Sequence, residues 1–393
     1  MSPSPIRVGL IGLPGTPADK YEGTNWAASA HLPYLIKSPH YEIVALLNSS
    51  VESAQASKVK HGLNSNVKTY GKPEGNFSSP TSFPSPVDLA ADPDVDMVIC
   101  STRVDLHFST VKPSILAGKT IFVEWPLESN LSLAREMSLL ATKHGCKTIV
   151  GLQGSFAEPI REIKGLVDGG RIGKVLGSTM FAALGNSGRT ESKNVRLRLR
   201  LTHMSVIGEF KTWNSFLINQ HPTKDIVESS NYMSTTDSTV VQASAPNNVP
   251  DQHLFRGITT SNIPFSMHRR GGAPFPGTPA VEWRIQGEKG EIRLTSSDYF
   301  IHMGHPEPCI KIELFVEGEG VSDVHWVDGE IDGVRDEVTE SRLPVIARGI
   351  ARLYEASRKG EWVPDWQWAV KRHEVVEEMW KRYDEDSEKG LAV

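Results

Sequence analysis

Cysteine is scarce in this chain: three residues, Cys100, Cys146 and Cys309, in 393. They lie far apart and form neither a disulfide framework nor the paired spacing of a metal site. A reducing compartment, the cytoplasm, suits them best. Positive charge is not in excess either, with 42 Lys+Arg against 47 Asp+Glu and a net charge of −5. A slightly acidic chain has no overall attraction for phosphate backbones, so direct nucleic-acid binding is not expected as its main activity. No stretch approaches the ~20 apolar residues that span a bilayer. Met1-Ser2-Pro3-Ser4-Pro5 has neither the basic nor the apolar region of a secretory signal. Neither G-x-S-x-G nor a histidine pair at helix spacing with a carboxylate occurs. Serine-hydrolase and metalloenzyme chemistry therefore drop out, and no metal ligands are expected.

What is present is the composition of an ordinary globular protein, long enough for two or three domains. In the first third, apolar strands alternate with helices. The strands are Ile6–Ile11, Tyr41–Leu47, Val95–Cys100, Thr120–Val123 and Thr148–Leu152. The helices run from Thr24 to Lys37 with a bend at Pro33, from Val51 to His61, from Phe108 to Ala117 and from Leu131 to His144. Pro73–Pro86 reads as an exposed loop. Strands apolar throughout imply a parallel sheet covered on both faces. After Gln153 the texture changes. A helix over Pro159–Val167 is followed by strand-like runs at Val175–Ala183, Ile258–Phe265, Val281–Ile285, Ile292–Thr295 and Ile310–Val316, which imply a mostly antiparallel sheet. Amphipathic helices cover Leu343–Ala356 and Asp365–Tyr383, and a polar tail from Asp384 should fray.

Parallel sheets of this kind bind ligands beyond the carboxyl ends of their strands. Gly12, Asn48, Ser101 and Glu124 stand at those ends. Gly12-Leu13-Pro14-Gly15 fills the first turn, where free helix amides could hold a pyrophosphate. Pro14 breaks the G-x-G-x-x-G pattern, so the turn alone does not separate a nucleotide site from an ordinary βα turn. Asn48 replaces the carboxylate usual in NAD-selective sites. With Ser49 and Ser50 it suits NADP, or a site without preference, though Asn and Ser are also common turn residues. Ser101, Thr102, Arg103 and His107 follow the strand ending at Cys100 and join the cofactor candidates by position. His107 could equally cap the next helix. Glu124 and Trp125 complete the set.

Several segments resemble the glucose–fructose oxidoreductase / inositol dehydrogenase family. They are Val8-Gly9-Leu10-Ile11-Gly12, Trp26-Ala27-Ala28, His31-Leu32-Pro33-Tyr34, Phe122-Val123-Glu124-Trp125-Pro126 and Gly151-Leu152-Gln153-Gly154. Later segments, among them Val249-Pro250-Asp251-Gln252-His253, Arg270-Gly271-Gly272 and Arg372-His373, extend the likeness over most of the chain, nearest to a fungal branch that includes a transcriptional repressor. The resemblance implies α/β architecture: an N-terminal Rossmann-like parallel sheet plus a C-terminal α+β domain with a large, mostly antiparallel open sheet. It places a dinucleotide-binding domain at 1–153 and a substrate and dimerisation domain at 154–393, whose terminal helix packs back on the first. It implies NADP or NAD as cofactor, a homodimer through the outer face of the sheet, and a sugar, polyol or related carbonyl compound as substrate.

Two departures qualify the implied chemistry. Where family dehydrogenases carry Glu-Lys-Pro, this chain has Glu124-Trp125-Pro126. An indole N–H only donates, so Trp125 is no general acid or base. It either stacks on nicotinamide or substrate, or fills space. The family's Asp-x-x-x-His pair is also missing, in a shortened stretch before Gly208. His203 is the imidazole left there and the one catalytic candidate, or a packing histidine. Arg196, Arg198 and Arg200 alternate as on a solvated strand or line an anionic pocket, and His268–Gly272 is either an anion-binding segment or a hairpin. Two functions follow. One is an NAD(P)-dependent oxidoreductase for a small carbonyl, alcohol or imine, in fungal specialised metabolism. The alternative is a non-catalytic, dinucleotide-responsive co-regulator with a regulatory protein partner, which would put the chain in the nucleus.

Overall fold

The structure is a computed structural model that describes residues 4–15, 26–72, 86–184, 190–191, 204–229, 238–247, 249–297, 301, 309–325, 330–331, 334–335 and 343–388. The chain divides into two compact units, Met1–Leu152 with Glu337–Glu374, and Gln153–Asp336 with Val375–Val393.

The first unit is built on strands β1 (Ile6–Ile11), β2 (Tyr41–Ser50), β3 (Lys68–Lys72), β4 (Met97–Cys100), β5 (Thr120–Glu124) and β6 (Thr148–Gly151). They form one parallel sheet in the order β3-β2-β1-β4-β5-β6. All four residues of β4 are buried, as a central strand covered on both faces requires. Helices α1 (Leu32–Leu35), α2 (Val51–Lys60), α3 (Pro86–Ala91), α4 (His107–Leu116) and α5 (Leu131–Lys143) alternate with the strands. Ser50 caps α2 by accepting from the Ser53 amide at 3.1 Å, and Asn130 caps α5 by accepting from the Leu133 amide at 3.0 Å. The strand order reverses between β1 and β4, so the loops after these two strands flank the crevice where such folds bind ligands.

Two expectations change here. The helix expected over Thr24–Lys37 begins, among the described residues, as a wide π-turn at Ala27–His31 that tightens into α1. Pro33 sits near the start of α1, where a missing amide proton is tolerated. Of the expected loop, 73–85 lie outside the described residues, and Pro86 opens α3 instead of ending a loop.

The second unit starts with α6 (Glu158–Asp168) and includes β7 (Val175–Leu184), β8 (Thr190–Glu191), α7 (Met204–Ile207), β9 (Phe210–Ile218), β10 (Thr223–Ser229), β11 (Ser238–Pro246), β12 (Gln252–Thr259), β13 (Pro264–Gly271), β14 (Val281–Gly287), β15 (Gly290–Ser296), β16 (Ile310–Val316) and β17 (Gly320–Val324). Eight of the strands form a sheet in the order β17-β16-β15-β14-β7-β13-β12-β9. Its pairs are antiparallel except β7 with β13. Along β14, β15 and β16 every second residue is buried, which puts Trp283, Ile285, Ile292, Leu294, Ile312 and Leu314 on one covered face. Ile258–Phe265, expected as one strand, is the turn of a hairpin: β12 stops at Thr259, whose amide donates to the Ile263 carbonyl at 2.9 Å. Asn262 there adopts φ 64°, a conformation Asn tolerates.

The chain then returns to the first unit through α8 (Val345–Lys359) and the opening turns of α9 (Trp366–Glu388), which continues as part of the second unit. The helix runs on to Glu388 where fraying from Asp384 was expected, with Ser387 donating back to the Tyr383 carbonyl at 2.8 Å.

A buried histidine makes the second unit sensitive to acid. His253 is 3% exposed. One ring nitrogen meets the Pro250 carbonyl at 2.9 Å and the other the Arg269 guanidinium at 3.2 Å. The guanidinium only donates, so that nitrogen accepts and the ring is neutral. Burial first, then the Arg269 charge, pushes its pKa down to about 3. In the unfolded chain the ring protonates below about pH 6.5. The group's stabilisation is therefore complete above that pH and declines as pH falls towards 3. Melting curves should lose on the order of 1–3 kcal/mol more between pH 6.5 and pH 4.5 in the wild type than in His253→Gln. Equal acid sensitivity of the two proteins would contradict this assignment.

Candidate functional site

The crevice is framed by the turn after β1. Gly12 takes φ +89°, and a Cβ there would stand 2.5 Å from the Ser101 carbonyl oxygen and 3.0 Å from Thr102 Cγ2. Only glycine lets the loops after β1 and β4 abut at the point where the strand order reverses. The main chain fixes the turn on both sides: Ser101 N–H donates to Ile11 O across the β1–β4 contact, and Gly12 N–H donates to Leu47 O of β2, both at 3.0 Å. Leu13 is fully buried. Gly15 lies flat on α2, where a Cβ would meet the Ser57 nitrogen at 2.7 Å. His61 reaches the Pro14 carbonyl at 3.1 Å, and burial lowers its pKa despite that bond.

At the end of β2, Asn48 points inward. Its amide group donates to Leu13 O at 2.8 Å and to Ser57 Oγ at 2.9 Å, while its Oδ1 is buried with no partner among the described residues. Ser49 is exposed, and Ser50 is committed to capping α2. No carboxylate occupies 48–50.

Beyond β4, His107 is 1% exposed and bridges two loops, its ring nitrogens each 3.1 Å from the carbonyls of Leu127 and Thr102. It is a tie between the β4 and β5 loops. Thr102 Oγ1 lies 3.3 Å from Cys100 Sγ, and Arg103 is paired at the surface with Asp105 at 2.7 Å. The start of α4 already holds an anion: Glu128, 2% exposed, accepts from the Phe108 amide at 2.8 Å and from the Ser129 amide at 2.7 Å.

The end of β5 separates two neighbours. Trp125 is 7% exposed and packs in the core with Cys100, Val111, Leu127, Met137 and Trp366. Its ring centroid is 4.8 Å from that of His373, whose pKa burial lowers to about 4. The indole is packed as a core side chain. Glu124 goes the other way. Its Oε1 lies 2.8 Å from His31 Nε2, and its carboxylate lies over Gly151, where a Cβ would stand 2.6 Å from the carboxylate carbon.

Gly12, Ser101 and Thr102 thus meet at the crevice. Leu13, Asn48, His107 and Trp125 brace it from inside, and Ser49 and Arg103 face solvent. His203, Arg196, Arg198 and Arg200 lie outside the described residues. Sequence reasoning missed His31 and Gly151 as partners of Glu124, and Glu128 as the anion at α4. His31 stands in a quoted motif, but its contact with Glu124 spans 93 positions. The residues fit a pyridine dinucleotide: the glycine bend brings the loops after β1 and β4 together where the strand order reverses, and the buried Oδ1 of Asn48 is left without a partner among the described residues. Among the described residues no group of three or more His, Cys, Asp or Glu forms a metal site, and no helix is long and apolar enough to cross a membrane.

Comparison with known proteins agrees with this geometry. Residues 22–152 match the oxidoreductase family with an NAD-binding Rossmann fold, and residues 201–296 match the C-terminal domain of Gal80p. The chain is 26% identical over 339 residues to the dehydrogenase aclE of Aspergillus oryzae, covering 82% of this chain and 83% of that one. It is 24% identical to the galactose/lactose metabolism regulatory protein GAL80 of Kluyveromyces lactis, covering 77% of this chain and 66% of the relative. The fold superimposes on a super-repressor mutant of Gal80p from Saccharomyces cerevisiae with a TM-score of 0.74 at 21% identity, over 96% of this chain and 95% of the other.

The packing of residue 125 can be tested directly. Trp125→Lys would bury an ammonium in an apolar core and should cost on the order of 3 kcal/mol or more. Trp125→Phe loses no hydrogen bond, since Nε1 has no partner among the described residues, and should cost about 1–2 kcal/mol. Urea unfolding would show it, and a lysine variant as stable as the wild type would contradict the buried placement.

Proposed function

From a chain that belongs to the GFO/IDH/MocA oxidoreductase family, with the Gal80p-type C-terminal domain, we propose a pyridine-dinucleotide-dependent oxidoreductase acting on a small carbonyl or alcohol. The observation that carries this reading is the glycine bend at Gly12 pressed against Ser101 where the strand order reverses. Similarity to a dehydrogenase over most of the chain supports it. When bound, the coenzyme supplies the hydride chemistry. The protein aligns donor and acceptor and handles the proton. NADP is favoured over NAD, because a neutral Asn48 and an exposed Ser49 offer no charge against a 2′-phosphate. A specific observation favours the second reading, a coenzyme-responsive regulator: position 125 holds a buried indole where the family's dehydrogenases hold a lysine. In that reading the coenzyme and a protein partner change each other's affinity.

A second copy of the chain is the partner we propose for the open sheet. Phe181, His268, Leu254 and Phe216 pair in register across β7, β13, β12 and β9, and the three apolar ones are 38–48% exposed. Such a row marks an interaction surface. Light scattering should report a dimer that Leu254→Glu with Phe216→Glu reduces to a monomer. A wild-type monomer at micromolar concentration would contradict it.

NADPH and NADH should each raise the melting temperature, NADPH more. Mixed with a panel of small aldehydes, ketones and sugars, the protein should consume nicotinamide absorbance. Tight binding without any turnover would favour the regulator, and no binding would remove both readings.

A further inference from the structure

Oxidising an alcohol releases a proton, and with an indole at position 125 another group must take it. The described crevice offers one that is both ionisable and built in. Glu124 ends β5, its side chain 14% exposed, and Oε2 has no partner among the described residues. Oε1 is held by His31 Nε2 at 2.8 Å. His31 is fully buried, and its ring stands edge-on to Phe122 with centroids 5.1 Å apart. Its Nδ1 faces the Tyr354 hydroxyl at 2.5 Å. Tyr354 is wholly buried, and burial, reinforced by the Glu124 charge, keeps its hydroxyl protonated. The phenol therefore donates to Nδ1, which leaves the proton of the ring on Nε2, directed at Glu124. Tyr354 and His31 form a chain of donors that ends on Glu124 Oε1 and leaves Oε2, which lies over Gly151, without a partner among the described residues. Gly151 makes room for that carboxylate, as any side chain there would overlap it.

We propose that Glu124 is the catalytic base of this site and His31 its positioning residue. In the oxidising direction a bound oxidised coenzyme would take the hydrogen of the substrate's C–H bond together with both electrons of that bond. The substrate's O–H bond breaks, a C=O bond forms, and the proton passes to Glu124 Oε2 and on to solvent. Reduction runs the same steps backwards, with Glu124 donating. The groups facing Glu124 are His31 from the π-turn, Tyr354 from α8 through that ring, and Cys100 on β4. Burial, with the charges of Glu124 and Glu128 adding to it, raises the Cys100 thiol to about 11, so it stays protonated.

This inference rests on the oxidoreductase reading, so its test separates the two. Coenzyme affinity is read by quenching of NAD(P)H fluorescence, and turnover by absorbance across pH. The wild-type kcat for alcohol oxidation should fall on the acid side. Glu124→Gln should lower kcat by about 100-fold or more while coenzyme affinity stays within about threefold. Glu124→Asp should recover part of the loss, and His31→Gln should shift the acid limb while keeping coenzyme binding. Full kcat in Glu124→Gln, or loss of coenzyme binding along with kcat, overturns the base. A profile without an acid limb overturns it without any variant. A wild type that binds coenzyme and turns nothing over overturns the base and the enzyme reading together, and a wild type that binds none defeats the coenzyme reading itself.

Discussion

At the end of β5 two consecutive side chains are sent in opposite directions, and the chemistry of the site follows from that split. Trp125 enters the core of the first unit, and Glu124 turns onto Gly151 and His31. An indole of that size in a close-packed interior is hard to withdraw, because leaving would open a cavity and expose the ring. The carboxylate is held as firmly, since burying it without a partner would cost several kcal/mol. The site therefore keeps its polar group one residue earlier than the lysine of the resembled dehydrogenases.

The rest of the crevice shows the same division between bracing and binding. His107, Glu128 and Asn48 each join a strand-end loop to a neighbouring segment through hydrogen bonds to the main chain. They stiffen the frame around Gly12 and Ser101. Preorganised frames of this kind reduce the entropy lost when a ligand binds. Among the described residues, Glu124 keeps a carboxylate oxygen without a partner and Ser49 is exposed.

The parallel sheet was legible because its strands are apolar throughout and alternate with helices. The hairpin at Thr259–Pro264 was not, because Thr-Thr-Ser-Asn sits between apolar residues that read as one strand. At the site, position alone named Gly12, Asn48, Ser101 and Glu124 as candidates. The roles of Trp125 and His107 stayed open, since an indole or imidazole at a strand end packs or binds with equal ease. His31, Tyr354 and Gly151 were out of reach for a physical reason. Their meeting with Glu124 joins a π-turn, a helix more than 200 residues on and a separate strand, and no local pattern encodes such a contact.

A crystal structure with oxidised NADP bound addresses the split at β5 most directly. The Trp125 indole should then still pack against His373 and Trp366, with Glu124 Oε2 the carboxylate oxygen that opens towards the ligand. An indole swung out of the core onto the nicotinamide, with Glu124 turned away from the crevice, would contradict that split.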